Sequence, residues 1–309
     1  PTGLDVSFTY DGQPSAPTLP GTYPVIASIN DANYQGTASG TLAVRITALV
    51  RHAPAFNGDV DGSIQVLLPE SVTLNSSSSV SHDLLVPGRP GLRLNGSPTF
   101  VGTLDQTGAA TPTNHLITLN SGAVLRYAVR RVDALALPVV PAPDAPTGTR
   151  SVSVNNATTP IGSFATLRNL TLNSGAGFVA VPPGAYGNFT ANSGGFILGT
   201  AGADTPSVYH LQRLTLNGSA RLQVAGPVIV RLASGLTLQA SAGASDHADW
   251  LVLEFAGGGL TLNNGGVLHG HVVAPGGTVT INGNATLHGT VTSDRLTLNS
   301  NGLLSEPTD

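Results

Sequence analysis

A short strand motif recurs so often in this 309-residue chain that it dictates the kind of fold open to it. Leu-Thr-Leu-Asn stands at Leu170–Asn173, Leu214–Asn217, Leu260–Asn263 and Leu296–Asn299. Close variants lie at Val72–Asn75, Leu92–Asn95, Ile117–Asn120, Leu236–Gln239 and Val279–Asn282, with weaker copies at Val152–Asn155 and Phe189–Asn192. Between the first start at 72 and the last at 296 the copies recur every ~22 residues on average, within the range of solenoid repeats. In each copy two apolar residues flank the central one, the period of two of a strand that buries one face. Asn then ends the strand, and Asn tolerates the left-handed backbone of a corner.

A second short strand often follows, as at Ala123–Leu125, Ala220–Leu222 and Ala285–Leu287, and a third at His271–Ala274 and Thr290–Ser293. Three short strands with glycine-rich corners make one turn of a parallel β-helix. A lone turn can neither bury its leucines nor pair its strands, whereas stacked turns do both. The predicted fold is all-β, a parallel β-solenoid of about eleven coils occupying residues 48–309. Asn75, Asn95, Asn120, Asn173, Asn217, Asn263, Asn282 and Asn299 would stack into an amide ladder, a structural device. The long interval between the copies at 117 and 152 contains Pro138–Pro146 and reads as a Pro-rich loop near 133–150, extruded from one coil.

Composition removes several function classes. Charged residues make up 10% and the net charge is −4, with scattered arginines and no basic patch for nucleic acid. There is no Cys, so thiolate metal sites cannot form, and no cofactor is expected. No apolar run reaches the ~18 residues of a spanning helix, so the chain is not expected to cross a membrane. Pro1 opens without a leader-like segment, which fits either a removed signal peptide or a piece of something longer.

Residues 1–47 follow a different grammar. Val6, Phe8 and Tyr10 alternate before the turn Asp11-Gly12, and a loop follows from Pro17 to Gly21. Tyr23, Val25, Ala27 and Ile29 alternate, Asp31 to Asn33 turns, and Leu42, Val44 and Ile46 alternate again. This pattern predicts an antiparallel β module. Phe8-Thr9-Tyr10-Asp11-Gly12, Pro17, Gly21-Thr22-Tyr23-Pro24-Val25, Asn30 to Gly36 with Tyr34, and Gly40-Thr41-Leu42 resemble the second half of an MBG-type bacterial immunoglobulin-like domain. The resemblance implies a partial Ig-like module of the kind found in tandem on long bacterial surface and secreted proteins, without catalysis. The coils around Val267–Ala274 and Thr286–Ser293 are similar, more weakly, to the bacterial β-helix proteins called bactofilins, a likeness of architecture.

Candidate chemistry is sparse. Some β-helices cleave polysaccharides with carboxylates clustered on one face. Here Asp59, Asp61, Asp105, Asp133, Asp144, Asp204, Asp246 and Asp249 do not recur at the coil interval, and no enzyme is expected. Asn57-Gly58-Asp59-Val60-Asp61-Gly62 looks like a fragment of a Ca²⁺ loop, but the closing Glu is missing, so it reads as a turn. His269, His271 and His288 are weak metal candidates, because one coil interval separates His269 from His288. They lack a carboxylate or Cys partner nearby, so stacked surface histidines are the simpler reading. The Thr column could suggest ice binding, but that takes two Thr columns on a flat face, and the second column here is Asn.

The functional expectation is a non-catalytic extracellular or cell-surface bacterial protein. Its two incomplete β ends would join copies of itself head to tail into a fibre. Val6, Phe8, Tyr10, Leu42 and Val44 would form one face of that contact, and Leu296, Leu298, Leu303 and Leu304 of an unfinished last coil the other. The alternative is the stalk or passenger of a bacterial surface adhesin that binds host, surface or polysaccharide; possible cell-surface or matrix contacts are expected besides.

Overall fold

The computed structural model describes residues 4–14, 21–31, 33–44 and 46–306, with only the backbone at 21–22 and 43–44. The fold is all-β and divides into two compact units, Pro1–Ile46 and Thr47–Asp309. The first contains a three-stranded antiparallel sheet of Val6–Tyr10, Gly21–Ile29 and Thr37–Val44. Asp11 and Gly12 both take positive φ, 46° and 76°, the backbone of a two-residue hairpin loop. Phe8 pairs with Ala27 and Tyr23 with Leu42, so the alternating apolar residues share one face. Val6 and Phe8 on that face are exposed. The loop expected from Pro17, the side chain of Val44 and Pro1 itself lie outside the described residues.

The second unit is a three-sided parallel solenoid. Its first side is made by the Leu-Thr-Leu strands, and pairing fixes their spatial order through the central residue of each. From one tip the order is Arg93, Thr118, Thr73, Ala55, Thr297, Thr280, Thr261 and Thr237. After one interruption it continues with Thr215, Thr190, Thr171 and Ser153 at the other tip. The flanking Leu, Ile, Val and Phe residues point inward and are wholly or nearly buried through the middle of the rod. Each such Leu or Ile gains about 1.5–3 kcal/mol on leaving water.

This order differs from the chain order, and two expectations change with it. The strands Val291–Leu298 and Leu303–Ser305 do not form an open end. They lie between the strands of residues 272–288 on one side and Ala48–Val50, Ala55–Phe56 and Asp59–Asp61 on the other. Leu296, Leu298 and Leu304 are at most 1% exposed and Leu303 pairs on both sides, so none of the four forms a free polymer edge. The coil that covers them went unrecognised in the sequence. In it Ala55-Phe56-Asn57 fills the motif position, and Asp59–Asp61 is a strand rather than a turn.

The Pro-rich segment is likewise not extruded from one coil. The carbonyl of Asp133 accepts from Gln65 near one end of the rod. The N–H of Asp144 donates to His210 and its carbonyl accepts from Gln212, far along toward the other end. The segment is a strap that carries the chain along the solenoid to Arg150. Extended at ~3.1 Å per residue, its 17 residues from 133 to 149 reach roughly 50 Å, enough to span most of the rod.

Candidate functional site

The Asn residues that end the first-side strands form amide-to-amide hydrogen bonds along the rod. Asn95 donates to Asn120 at 2.8 Å. Asn75 donates to Asn57, Asn57 to Asn299, Asn299 to Asn282 and Asn282 to Asn263, at 2.7 to 3.2 Å. Beyond the interruption Asn217 donates to Asn192, Asn192 to Asn173 and Asn173 to Asn155, at 2.8 to 3.0 Å. In every bond the donor lies nearer the Arg93 tip, so the ladder has a direction. Asn57, Asn155 and Asn192 belong to it and were not among the ladder residues expected from sequence.

The ladder and the sheet break at the same place. Pairing runs from Ser207–Val228 to Leu211–Leu232 and stops there. Leu214–Leu216 then pair only toward Phe189–Ala191, and Leu236–Leu238 only toward Leu260–Leu262. The corner that precedes Leu236 is one residue longer than the one before Leu214, and Gln239 replaces the corner Asn. An open cleft of about 430 Å³ results, lined by Arg213, Thr215, Asn217, Thr237 and Gln239 among others. It holds no carboxylate, histidine or aromatic ring.

The histidines expected to be neighbours are neighbours. His269 pairs with His288, and their rings stack at 4.8 Å, 13° from parallel. A metal ion lies in the plane of each imidazole that binds it, so rings stacked face to face cannot share one. His288 Nδ1 lies 2.7 Å from Ser305 Oγ, and His271 Nδ1 lies 2.8 Å from Thr290 Oγ1. Among the described residues no three His, Cys, Asp or Glu side chains gather as a metal site. Burial pushes the pKa of His269 and His288 below the ordinary imidazole value, and His288 adds to the effect at His269.

Several carboxylates are each held by a partner from a neighbouring coil, while Glu70 and Asp294 both approach His52, at 2.8 and 4.0 Å. Asp83 receives both arms of Arg126 at 2.9 Å. Arg130 and Arg89 bracket Asp105 at 2.7 and 3.1 Å, and the hydrogen bond from Arg130 holds its carboxyl below the usual range. Glu254 pairs with Arg231 and Asp294 with Arg51. Asp59 and Asp61 accept from Ser79 and Ser81. These pairings stitch coil to coil.

The tips differ from the middle. Leu92 and Leu94 hold inward positions in register with Ile117 and Leu119, which are fully buried. Among the described residues no strand pairs with their other side, and they are 38% and 52% exposed. At the opposite tip Arg150 donates to the carbonyls of Ile161 and Ser163, pinning a loop whose Ile161 and Phe164 pack on the core.

Residues 1–48 match the family model described as MBG domain. The match covers the first unit and stops where the solenoid begins. No curated protein matches the chain. Among solved structures, the competence-associated pilin ComZ from Thermus thermophilus is similar at 11% identity, covering 93% of this chain and 75% of that one, with a TM-score of 0.33. Among the described residues no helix is long and apolar enough to cross a membrane.

Proposed function

We infer that this chain is a non-catalytic structural protein of the bacterial surface or its surrounding matrix. It works through contacts of the rod itself, with copies of the same chain as partners. The observation that carries this reading is the union of an MBG module with a solenoid that leaves one end open at Leu92 and Leu94. MBG-type modules resemble parts of long surface and secreted proteins, which supports an extracellular place. Asp83, Asp105 and Glu254, each held by an arginine of a neighbouring coil, support a structural role over a hydrolytic one.

A second reading, the passenger of an adhesin, is favoured by one contact. Thr47 Oγ1 donates to Glu306 Oε1 at 2.9 Å, so the solenoid starts and finishes in adjacent coils away from either tip. A stalk needs its two ends far apart. Thr47 and Glu306 lie side by side, which suits a passenger better than a stalk.

Immunogold labelling of producing cells, combined with negative-stain microscopy of the purified chain, tests the reading. Label on the outer surface or matrix, with rods in contact with one another, is the expected result. Label confined to the cytoplasm would overturn it. Isolated rods that coat a polysaccharide would favour the passenger.

A further inference from the structure

We propose that the cleft between Leu214–Leu216 and Leu236–Leu238 binds an acidic polysaccharide, with an anionic group of the polymer on Arg213 and its hydroxyls on the threonines and amides around it. The proposal goes beyond the reading of the protein as a structural rod, since it holds whether or not rods touch one another.

The cleft presents hydrogen-bonding groups that the fold has not used. Leu236 donates its N–H to Gly259, and the carbonyl of Leu238 accepts from Asn263, both in the next coil. Backbone groups of successive strand residues point to opposite edges, so the N–H and carbonyl of Thr237 face the cleft. On the other side Asn217 donates its N–H to Ala191, so the N–H and carbonyl of Leu216 face the cleft as well. No strand pairing takes up either set. Among the described residues Asn217 donates to Asn192 but accepts from no ladder amide, and Gln239 makes no ladder bond. The hydroxyls of Thr215 and Thr237 stand between them.

The occupant is identified by charge and polarity. Arg213 is the one charged residue of the lining. It is exposed, and among the described residues no carboxylate pairs with it, whereas Arg51, Arg126, Arg130 and Arg231 are each held by an acid. Its fork of donors fits a carboxylate or a sulfate group. Nucleic acid asks for several cations or for rings on which bases stack, and the cleft offers one arginine and no ring. A peptide strand asks for apolar pockets, and Leu214, Leu216, Leu236 and Leu238 beside the cleft are buried in the core. A polymer rich in hydroxyls that also carries acidic groups uses the arginine, the amides, the hydroxyls and the backbone together.

The surroundings give the ligand its length. A second hollow of about 440 Å³ shares Gly235 and Thr237 with the cleft and continues it past Thr261 to Thr280. Its floor is glycine, and an added Cβ at Gly259 or Gly277 would strike the carbonyl of Thr278 or Gly258. No side chain therefore rises there to block the way. Thr215, Thr237, Thr261 and Thr280 stand on successive coils, so the trough runs along the rod for roughly 15 Å, three coil steps. A linear polymer lying in it meets a hydroxyl at every coil, whereas a small anion meets Arg213 alone.

The test titrates the full chain by calorimetry with a polyuronate, dextran sulfate, neutral dextran and poly-glutamate. The polyuronate or the dextran sulfate should bind, and the tighter of the two tells carboxylate from sulfate. Neutral dextran and poly-glutamate should each bind at least about tenfold more weakly, one lacking the charge and the other the hydroxyls. Arg213→Ala should weaken binding about tenfold or more, and Thr237→Val by a smaller factor, with melting midpoints unchanged because both positions are exposed. Arg221→Ala, at an exposed arginine outside the cleft, should leave binding as it was. Bound polymer should slow deuterium exchange at the amides of Leu216 and Thr237. No binding to either acidic polymer, equal binding of poly-glutamate, or full binding by Arg213→Ala would each overturn the proposal. Rods that label the cell exterior yet bind neither polymer would remove the site and leave the surface role standing.

Discussion

At the scale of single residues, the ladder and the core respond differently to change. Asn282 donates to Asn263 and accepts from Asn299, so Asn282→Ala removes two bonds and should cost about 1–3 kcal/mol in urea unfolding. Leu298 is fully buried between two coils, and Leu298→Ala should cost about 2–5 kcal/mol; Leu94→Ala at the open tip should cost under about 1 kcal/mol. Equal costs would contradict the stacking order. The histidines give the rod a pH dependence of known sign. Burial lowers the pKa of His115, His269 and His288, so below the ordinary value of about 6.5 the unfolded chain takes up protons first. Stability should be complete above that pH and decline as pH falls from there toward the folded-state values. His269→Gln combined with His288→Gln should flatten part of that decline in thermal melts across pH. The pairing of His269 with His288 was legible from spacing alone, because the coil interval is constant there. Asn57 was not, because Pro54 stands where the first leucine belongs and the acidic residues after it imitate a metal loop.

At the scale of strands and coils, nearly every rung was legible, since period-two alternation with a terminal Asn has few other meanings. Which rung lies on which was not. Every rung offers the same leucines to its neighbours, so the motif carries no record of order, and only the length of the strap hinted that the chain doubles back. The first and last coils meet closely at Gly58, where an added Cβ would collide with the carbonyl of Gly302. Gly58→Ala should therefore destabilise the solenoid by about 1–3 kcal/mol, although Ala is otherwise benign in such a place. The cleft at 214–217 and 236–239 is the one step of the first side without pairing. Backbone amides there should exchange with deuterium faster than those of Leu260–Leu262, which are paired on both edges. Uniform protection along the first side would mean that the seam is closed in solution.

At the scale of the whole solenoid, the segment from Thr47 starts inside the rod, builds toward the Arg93 tip, crosses on the strap and winds back until residues 291–305 meet residues 48–61. A chain cut before Val291 should lose more than one coil, because the cut bares residues 48–61 and 272–288 together. Its melting midpoint should fall and its binding of an apolar dye should rise. The same closure sets the timing of maturation. While the chain emerges from a ribosome or a secretion pore, the coil of residues 48–61 must wait with one face bare until residues 291–305 arrive. Long-range pairings of this kind are slow to form and prone to aggregation. The rod thus closes only when residues 291–305 have been delivered, and delivery, more than the strength of any rung, governs when it is finished.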